Sequence, residues 1–139
     1  MGELTVRSLG GDRHRVEVRG HRLVVDQPVP DGGEDAGPTP VELFVASLAA
    51  CVGHYARRAL GSASPGATVH CRWQMASAPP WRVTGVSIEV ELPEGTSQAR
   101  HAAVLRAVSH CTVHNSLVDP PRVHIDVPPA HQVTRPAVA

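Results

Sequence analysis

The sequence has no lysine, few aromatic residues and no long apolar run, and each absence excludes a class of function. All 13 positively charged residues are arginines, which excludes Schiff-base chemistry on a lysine amine. Aromatic residues make up 3% of the chain, too few for a platform that stacks nucleic-acid bases. The 13 acidic residues cancel the basic ones, and no apolar run approaches the ~20 residues of a membrane span. We therefore predict neither a nucleic acid nor a membrane as a partner.

Cysteine is also scarce, and its number is odd. The three cysteines are Cys51, Cys71 and Cys111, whereas a small secreted protein held by disulfides has more, in even number. The first residues, MGEL, are polar and acidic, unlike a secretory signal. We therefore expect a cytoplasmic protein with one or two chemically active thiols. The length of 139 residues favours a single domain over residues 1–139, with a proline-rich tail or arm at 128–139.

Short stretches in which apolar and polar residues alternate predict β-strands. They occur within residues 1–36 and at 69–75, 86–92 and 123–127, and the last stretch contains Val123, Ile125 and Val127. Helical spacing of apolar residues predicts one helix from Thr96 or Ser97 to Ser109 and a short one over 111–117. Together with a long helix between the strand groups, this order favours an α+β fold.

The long helix has clear start and stop signals. Thr39 can cap its N-terminus, Pro40 suits the first helical position, and Glu42 completes a capping box with Thr39. The apolar periodicity continues as far as Gly61, which can end the helix. Because the helix is apolar over much of its circumference, we expect it to be central, with sheet packed around it.

Two cysteines stand where thiol chemistry is favoured. Cys51 lies in the middle of the long helix, and Cys111 lies at the start of the short one. Free backbone N–H groups and the helix dipole favour a thiolate at a helix start, so we expect Cys111 to be partly ionised. The alternative for each is an inert buried cysteine, since cysteine is among the most buried residue types. Cys71 alternates with polar residues on a strand and is interpreted as part of the core.

Each of these cysteines is followed three residues later by a histidine. His54 follows Cys51 and His114 follows Cys111, and residues three apart share a helix face. If the two segments meet, the four side chains offer a tetrahedral zinc site. The competing interpretation is that the histidines line the thiol pocket or face water. We predict no metal, because structural zinc sites usually take ligands from tight knuckles rather than from a helix interior.

Two segments resemble the cysteine motifs of one family. Residues 37–51, GPTPVELFVASLAAC, resemble the first cysteine helix of the OsmC/Ohr family of hydroperoxide reductases. Residues 111–117, CTVHNSL, resemble its second cysteine segment, C-x-V-x-x-x-L. The order of elements is similar over nearly the whole chain. The residues from His21 to Pro28, with the later glycines, resemble the less characterised OsmC-like branch.

This resemblance implies a fold and a chemistry. The implied fold is an α+β homodimer in which a long helix packs on a curved antiparallel sheet and the two chains interlock. The implied activity is that of a thiol peroxidase acting on organic hydroperoxides or hydrogen peroxide in oxidative-stress defence. Cys51 would be oxidised to a sulfenic acid, Cys111 would resolve it as a disulfide, and an external dithiol would reduce the enzyme without any cofactor.

The chain departs from the family pattern near the first cysteine. The hydroperoxide-resistance branch has a glutamate ten residues before it, paired with an arginine from the N-terminal strands. Here Val41 occupies that position, and Glu42 is the adjacent acid. The candidate supporting residues are Glu42, Arg22, His54 and His114.

Other arginines of the N-terminal strands compete with Arg22 for that role, and the alternative for Glu42 is a role in the capping box alone. In the second segment, Thr112 stands where proline is frequent. Two other functions stay open. One is a noncatalytic dimeric scaffold that binds a small apolar ligand, and the other is a zinc-stabilised module built on Cys51, His54, Cys111 and His114.

Overall fold

The computed structural model describes residues 2–129, and the fold is α+β, as predicted. The strands are β1 (Thr5–Gly10), β2 (Arg13–Val18), β3 (His21–Val25), β4 (Thr68–Met75) and β5 (Val83–Glu91). The helices are α1 (Pro40–Leu60), α2 (Gln98–Val108) and α3 (Thr112–Val118), with a 3-10 turn at Val29–Asp31. Within the described range, no helix is both long and apolar enough to cross a membrane. The predicted tail falls mostly on residues 130–139, which lie outside the described residues.

Helix α1 is fixed at both ends. The Glu42 amide donates to the Thr39 hydroxyl at 3.1 Å, and the Thr39 amide donates to the Glu42 carboxylate at 2.7 Å, which confirms the predicted capping box. At the other end, the guanidinium of Arg100 donates to the carbonyl of Leu60, and that of Arg57 donates to the carbonyl of Gly61. These contacts satisfy carbonyls that have no partner inside the helix. Because both ends of α1 are held, Cys51 in the middle of the helix has a defined position.

The core lies between α1, the β4–β5 hairpin and α2. Gly53 permits the close approach of α1 to β4, since a Cβ at this position would lie 3.3 Å from a methyl group of Val69. Two clusters of buried residues lie along α1, one made of Leu48, Val52 and Cys111 and the other of Ala56, Leu60 and Val104. The first cluster includes the second predicted cysteine, so the thiol region is part of the core.

The strands form two separate antiparallel sheets, β1-β2-β3 and β4-β5. In the first sheet, Val6 pairs with Val16 and Val16 pairs with Leu23, so the three side chains lie side by side on one face. Val6 is 52% exposed and Leu23 is 40% exposed. The described residues of a single chain therefore leave this apolar face largely uncovered.

The loop between β3 and α1 is organised by a buried carboxylate. The Asp26 side chain is buried and accepts hydrogen bonds from the backbone amides of Gln27, Glu34 and Ala36. The bond from the Ala36 amide, supported by the two other amides and opposed by burial, lowers the pKa of Asp26 below its ordinary value. This loop leads directly into the capping box, so Asp26 helps to place the start of α1.

The predicted last strand is wrong. Residues 120–129 have no regular secondary structure, and Val123, Ile125 and Val127 are 80%, 82% and 87% exposed. The apolar alternation typical of a strand is present, but a strand also needs a neighbour to satisfy its backbone hydrogen bonds. No strand among residues 2–129 pairs with this segment.

Candidate functional site

The fold brings Cys51 and Cys111 together. Cys51 is half-buried in the middle of α1, while Cys111 is 0% exposed and stands immediately before α3. Both are free thiols, and both pack in the cluster that contains Leu48 and Val52. The Cys111 thiol lies within hydrogen-bonding reach of the Cys51 sulfur. The two segments that are far apart in the sequence therefore share one site.

Backbone amides of the first turn of α3 point at the two sulfurs. The amide of His114 donates to the Cys111 sulfur at 3.4 Å, and the amides of Thr112 and Val113 lie near enough to the Cys51 sulfur to lower its pKa. These N–H groups have no carbonyl partner within the helix because they belong to its first turn. They are therefore free to stabilise negative charge on sulfur.

The two thiols differ in proton affinity. Burial raises the pKa of Cys51, but the hydrogen bonds from the Val113 amide, the Cys111 thiol and the Thr112 amide together outweigh it, so the pKa lies below its ordinary value. Among the described residues no charged side chain contributes to this shift. The arrangement therefore favours the thiolate at Cys51.

The prediction that Cys111 is partly ionised is wrong. Burial raises the pKa of Cys111, and both the hydrogen bond to Cys51 and the negative charge of Cys51 raise it further. The amides of His114 and Val113 act in the opposite direction but are outweighed. A helix start favours a thiolate, but at Cys111 complete burial and the negative charge on the neighbouring Cys51 sulfur outweigh this effect. Of the two thiols, Cys111 therefore holds its proton more tightly than Cys51 does.

The four supporting candidates lie at different distances from the thiols. Glu42 is engaged in the capping box and precedes Cys51 by nine positions on α1, which corresponds to ~13 Å along the axis. Arg22 forms an ion pair with Glu17, with 3.2 Å between Arg22 Nε and Glu17 Oε1. His54 is exposed, and its ring lies edge-on to that of Tyr55. Only His114 borders the thiol site, through its backbone amide. A supporting role for each of the four side chains stays a prediction.

The four residues do not form a zinc cluster. Nowhere between residues 2 and 129 do three or more His, Cys, Asp or Glu side chains converge in a way that could hold one metal ion. Cys51 and Cys111 meet, but the exposed His54 does not join them in a common ligand set. The sequence spacing places each Cys–His pair on one helix face, yet it does not control whether the two faces meet.

A cavity of about 500 Å³ lies beside the thiol cluster. Leu48 and Val52 belong both to its wall and to the cluster that contains Cys111. The rest of the wall is apolar and comes from β5 and α2, while Ser109 and His114 provide polar groups. The further wall residues are Val86, Ile88, Val90, Leu105 and Val108. A cavity of this size and lining is suited to an apolar organic group.

One contact at the site was not predicted. The hydroxyl of Tyr55 lies 3.3 Å from the hydroxyl of Thr112. Tyr55 follows Cys51 by one helical turn, which is the only sign of its position available from the sequence. The contact joins residues 57 positions apart, so no local pattern could reveal it.

The family model described as OsmC-like protein matches residues 32–126, a range that contains both cysteines. No curated protein matches the chain.

Several solved structures have the same fold at low sequence identity. A crystal structure from Psychrobacter arcticus 273-4, whose name relates it to osmotic stress and detoxification, is 22% identical with a TM-score of 0.72, and the match covers 84% of this chain and 88% of that one. An OsmC-like protein from Mycoplasma pneumoniae is 16% identical with a TM-score of 0.69, over 86% and 89% of the two chains. An organic hydroperoxide resistance protein OsmC from Legionella pneumophila is 20% identical with a TM-score of 0.61, over 83% and 88%. At these identities the structures support the fold, and together with the family match over residues 32–126 they establish that the chain belongs to the OsmC-like protein family.

Proposed function

We propose that the protein is a thiol-dependent peroxidase that reduces organic hydroperoxides and draws electrons from an external dithiol. The observation that carries this proposal is the packing of the half-buried Cys51 against the cluster that contains the fully buried Cys111, with the pKa lowered at Cys51 and raised at Cys111. A thiolate is the nucleophilic form of cysteine, and a second thiol in contact with it can trap the oxidised product. Relatives named for hydroperoxide resistance support the same assignment.

In the first step, the proton held by Cys111 neutralises the leaving group. The Cys51 thiolate attacks the terminal oxygen of the hydroperoxide, the O–O bond breaks, and Cys51 becomes a sulfenic acid. The leaving alkoxide takes the proton from Cys111 and departs as an alcohol. Peroxide is thereby reduced by two electrons, and Cys111 is left as a thiolate next to the oxidised sulfur.

The second step restores the thiols. The Cys111 thiolate attacks the Cys51 sulfur, an S–S bond forms, and hydroxide leaves and is protonated to water. The external dithiol then reduces this bond by two thiol–disulfide exchanges and is itself oxidised to a disulfide. Neither step requires a cofactor.

The cavity supports an organic substrate. Its apolar wall reaches Leu48 and Val52, which contact the thiol cluster, so an apolar group bound there would lie beside Cys51. Burial of such a group is favourable by about 25 cal/mol per Å² of apolar surface, and hydrogen peroxide has no such group to bury. We therefore propose that organic hydroperoxides are preferred over hydrogen peroxide.

We propose that the working unit is a homodimer. Among residues 2–129 of one chain, nothing covers the apolar face of β1–β3, where Val6 and Leu23 are exposed, and no strand pairs with segment 123–127. A second copy can cover the face and offer an edge to the segment. The same arrangement would allow Arg22 of one chain to approach the thiols of the other.

Peroxide consumption with purified variants tests the proposal. Cys51→Ser is expected to abolish the reduction of cumene hydroperoxide by a dithiol, because serine cannot act as the thiolate nucleophile. Cys71→Ser is the matched control, since it removes the thiol that does not contact the pair, and it is expected to retain the wild-type rate. Unchanged turnover in Cys51→Ser would exclude the proposed mechanism.

The cavity also favours a second candidate, a noncatalytic protein that binds a small apolar ligand. In that case wild type would bind an apolar fluorescent probe and consume no hydroperoxide with any dithiol. Substitution of Leu105, which lines the cavity on α2, by aspartate would abolish probe binding. Under the peroxidase proposal the same variant raises the KM for cumene hydroperoxide and leaves turnover of hydrogen peroxide unchanged.

A further inference from the structure

A pair of hydroxyl groups connects the helix that carries Cys51 to the turn whose amides reach it. Tyr55 lies one turn after Cys51 on α1, and its hydroxyl is 3.3 Å from that of Thr112, the first residue of α3. The Tyr55 ring is half-buried and packs against the cluster of Leu48, Val52 and Cys111. Its hydroxyl therefore projects from a fixed part of the core.

Helix α3 has few other contacts that could fix its first turn. It is 7 residues long and contains no buried residue. An isolated helix shorter than ~12 residues is marginal in water, so tertiary contacts decide where it lies. Cys111 and Val113 anchor it through apolar packing, but apolar packing has no preferred direction. A hydrogen bond does have one, and the Tyr55 and Thr112 hydroxyls form such a bond between the side chains of α1 and α3.

We propose that Tyr55 and Thr112 are positioning residues that hold the first turn of α3 so that the Thr112 and Val113 amides stay directed at the Cys51 sulfur. The inference rests on the proposed role of Cys51 as the reacting thiolate. Thr112 contributes twice, because its amide reaches Cys51 and its hydroxyl is held by Tyr55. Tyr55 touches neither sulfur through its hydroxyl and acts through Thr112.

The backbone at this position allows a clean removal of the amide donor. Thr112 is the first helical residue, where proline is well tolerated. Cys111 has φ −57° and ψ 114°, which lies outside the α region that a following proline disfavours. Thr112→Pro therefore removes the N–H and the hydroxyl without opposing the fold. Thr112→Val and Tyr55→Phe each remove one hydroxyl, and Thr112→Ser retains both groups.

The test measures the rate at which iodoacetamide alkylates Cys51 as a function of pH, with the modified peptide quantified by mass spectrometry. Tyr55→Phe and Thr112→Val are expected to shift the midpoint of this titration to higher pH by similar amounts, and the double variant is expected to shift it no further than either alone. Thr112→Pro is expected to slow alkylation about tenfold at a fixed pH below both midpoints, since a hydrogen bond to a charged sulfur is lost. Thr112→Ser is expected to behave as wild type.

Ser116→Ala is the matched control, because its hydroxyl donates within α3 to the Thr112 carbonyl and contacts neither Tyr55 nor the sulfurs. A lower melting temperature with an unchanged titration in Tyr55→Phe and Thr112→Val would show a merely structural contact and overturn the proposal. Alkylation does not depend on peroxide turnover. A wild type that consumes no peroxide but shows the expected shifts would therefore refute the proposed function while the positioning role stands.

Discussion

Replacement of Cys111 separates its two roles in the proposed mechanism. Cys111 is fully buried and donates a hydrogen bond to the Cys51 sulfur, and it is also the proposed resolving thiol. Cys111→Ser keeps a hydrogen-bond donor but cannot form a disulfide. Cys111→Ala removes both functions, so the difference between the two variants isolates the hydrogen bond.

The structure gives the expected magnitudes. A hydrogen bond to a charged group contributes about 1.5–3 kcal/mol, and about 1.4 kcal/mol corresponds to a tenfold change in the thiolate population. Cys111→Ala should therefore slow the first oxidation of Cys51 at neutral pH by roughly tenfold or more. Cys111→Ser should undergo this oxidation faster than Cys111→Ala, because it keeps the hydrogen bond, but more slowly than wild type, because a serine hydroxyl gives up its proton less readily than a thiol. It should then stop, because no thiol is in contact with the sulfenic acid.

The assay adds one equivalent of cumene hydroperoxide and then dimedone, and it detects the adduct by mass spectrometry. Cys111→Ser is expected to accumulate labelled Cys51, and excess peroxide should convert it to the sulfinic acid. Oxidised wild type is expected to contain a Cys51–Cys111 crosslink and little dimedone adduct. If Cys111→Ser turned over at the wild-type rate with small thiols, or if oxidised wild type kept two unlinked thiols, the resolving role would be refuted.

Three further predictions concern stability and assembly. Thr39→Ala should lower the free energy of unfolding by about 1 kcal/mol, because it breaks the capping box, and should leave peroxide consumption per folded molecule unchanged. Thermal unfolding and the peroxide assay measure these two effects, and Ser62→Ala, beyond the end of α1, is the control. Asp26 has a lowered pKa in the folded chain, so its contribution to stability is present above its unfolded pKa and is lost as the pH falls through the folded value. Urea unfolding should accordingly show that Asp26→Asn has a lower free energy of unfolding than wild type at pH 7, and that this difference shrinks below about pH 4. A difference that did not change with pH would contradict the predicted direction. We expect a dimer whose interface buries more than ~2,000 Å² in total. Light scattering should therefore give the mass of a dimer at micromolar concentration, and Leu23→Asp should reduce it to the mass of a monomer. A wild-type monomer would refute the dimer.

Local signals in the sequence were sufficient to predict α1. Thr39, Pro40 and Glu42 act within one turn, and Gly61 follows the last helical residue, so the helix bounds depend on few distant contacts. Strands β1–β3 were equally predictable from the sequence, because tight turns at Gly10 and Gly20 separate clear alternating stretches. The proximity of the two cysteines was available only from resemblance to a family, since no periodicity relates α1 to α3.

The features that were missed depend on contacts between distant parts of the chain. Residues 123–127 alternate as a strand should, but no strand among residues 2–129 pairs with them, and the alternation alone cannot show whether a partner strand is within reach. The ionisation of Cys111 was mispredicted because its helix position was visible in the sequence while its complete burial was not. The Tyr55–Thr112 contact depends on how α3 packs on α1, and for this reason it appears only in the structure.

The wide separation of the two sulfurs along the chain has a consequence for chain entropy. Cys51 and Cys111 are joined by a segment of about 60 residues, and a covalent bond between them would remove about 4 kcal/mol of loop entropy from the unfolded ensemble at 25 °C. The oxidised protein should therefore melt at a higher temperature than the reduced one. Under the proposed mechanism, each catalytic cycle would form and then break this crosslink. The melting temperature would therefore report the fraction of the protein that is in the disulfide form and has not yet been reduced.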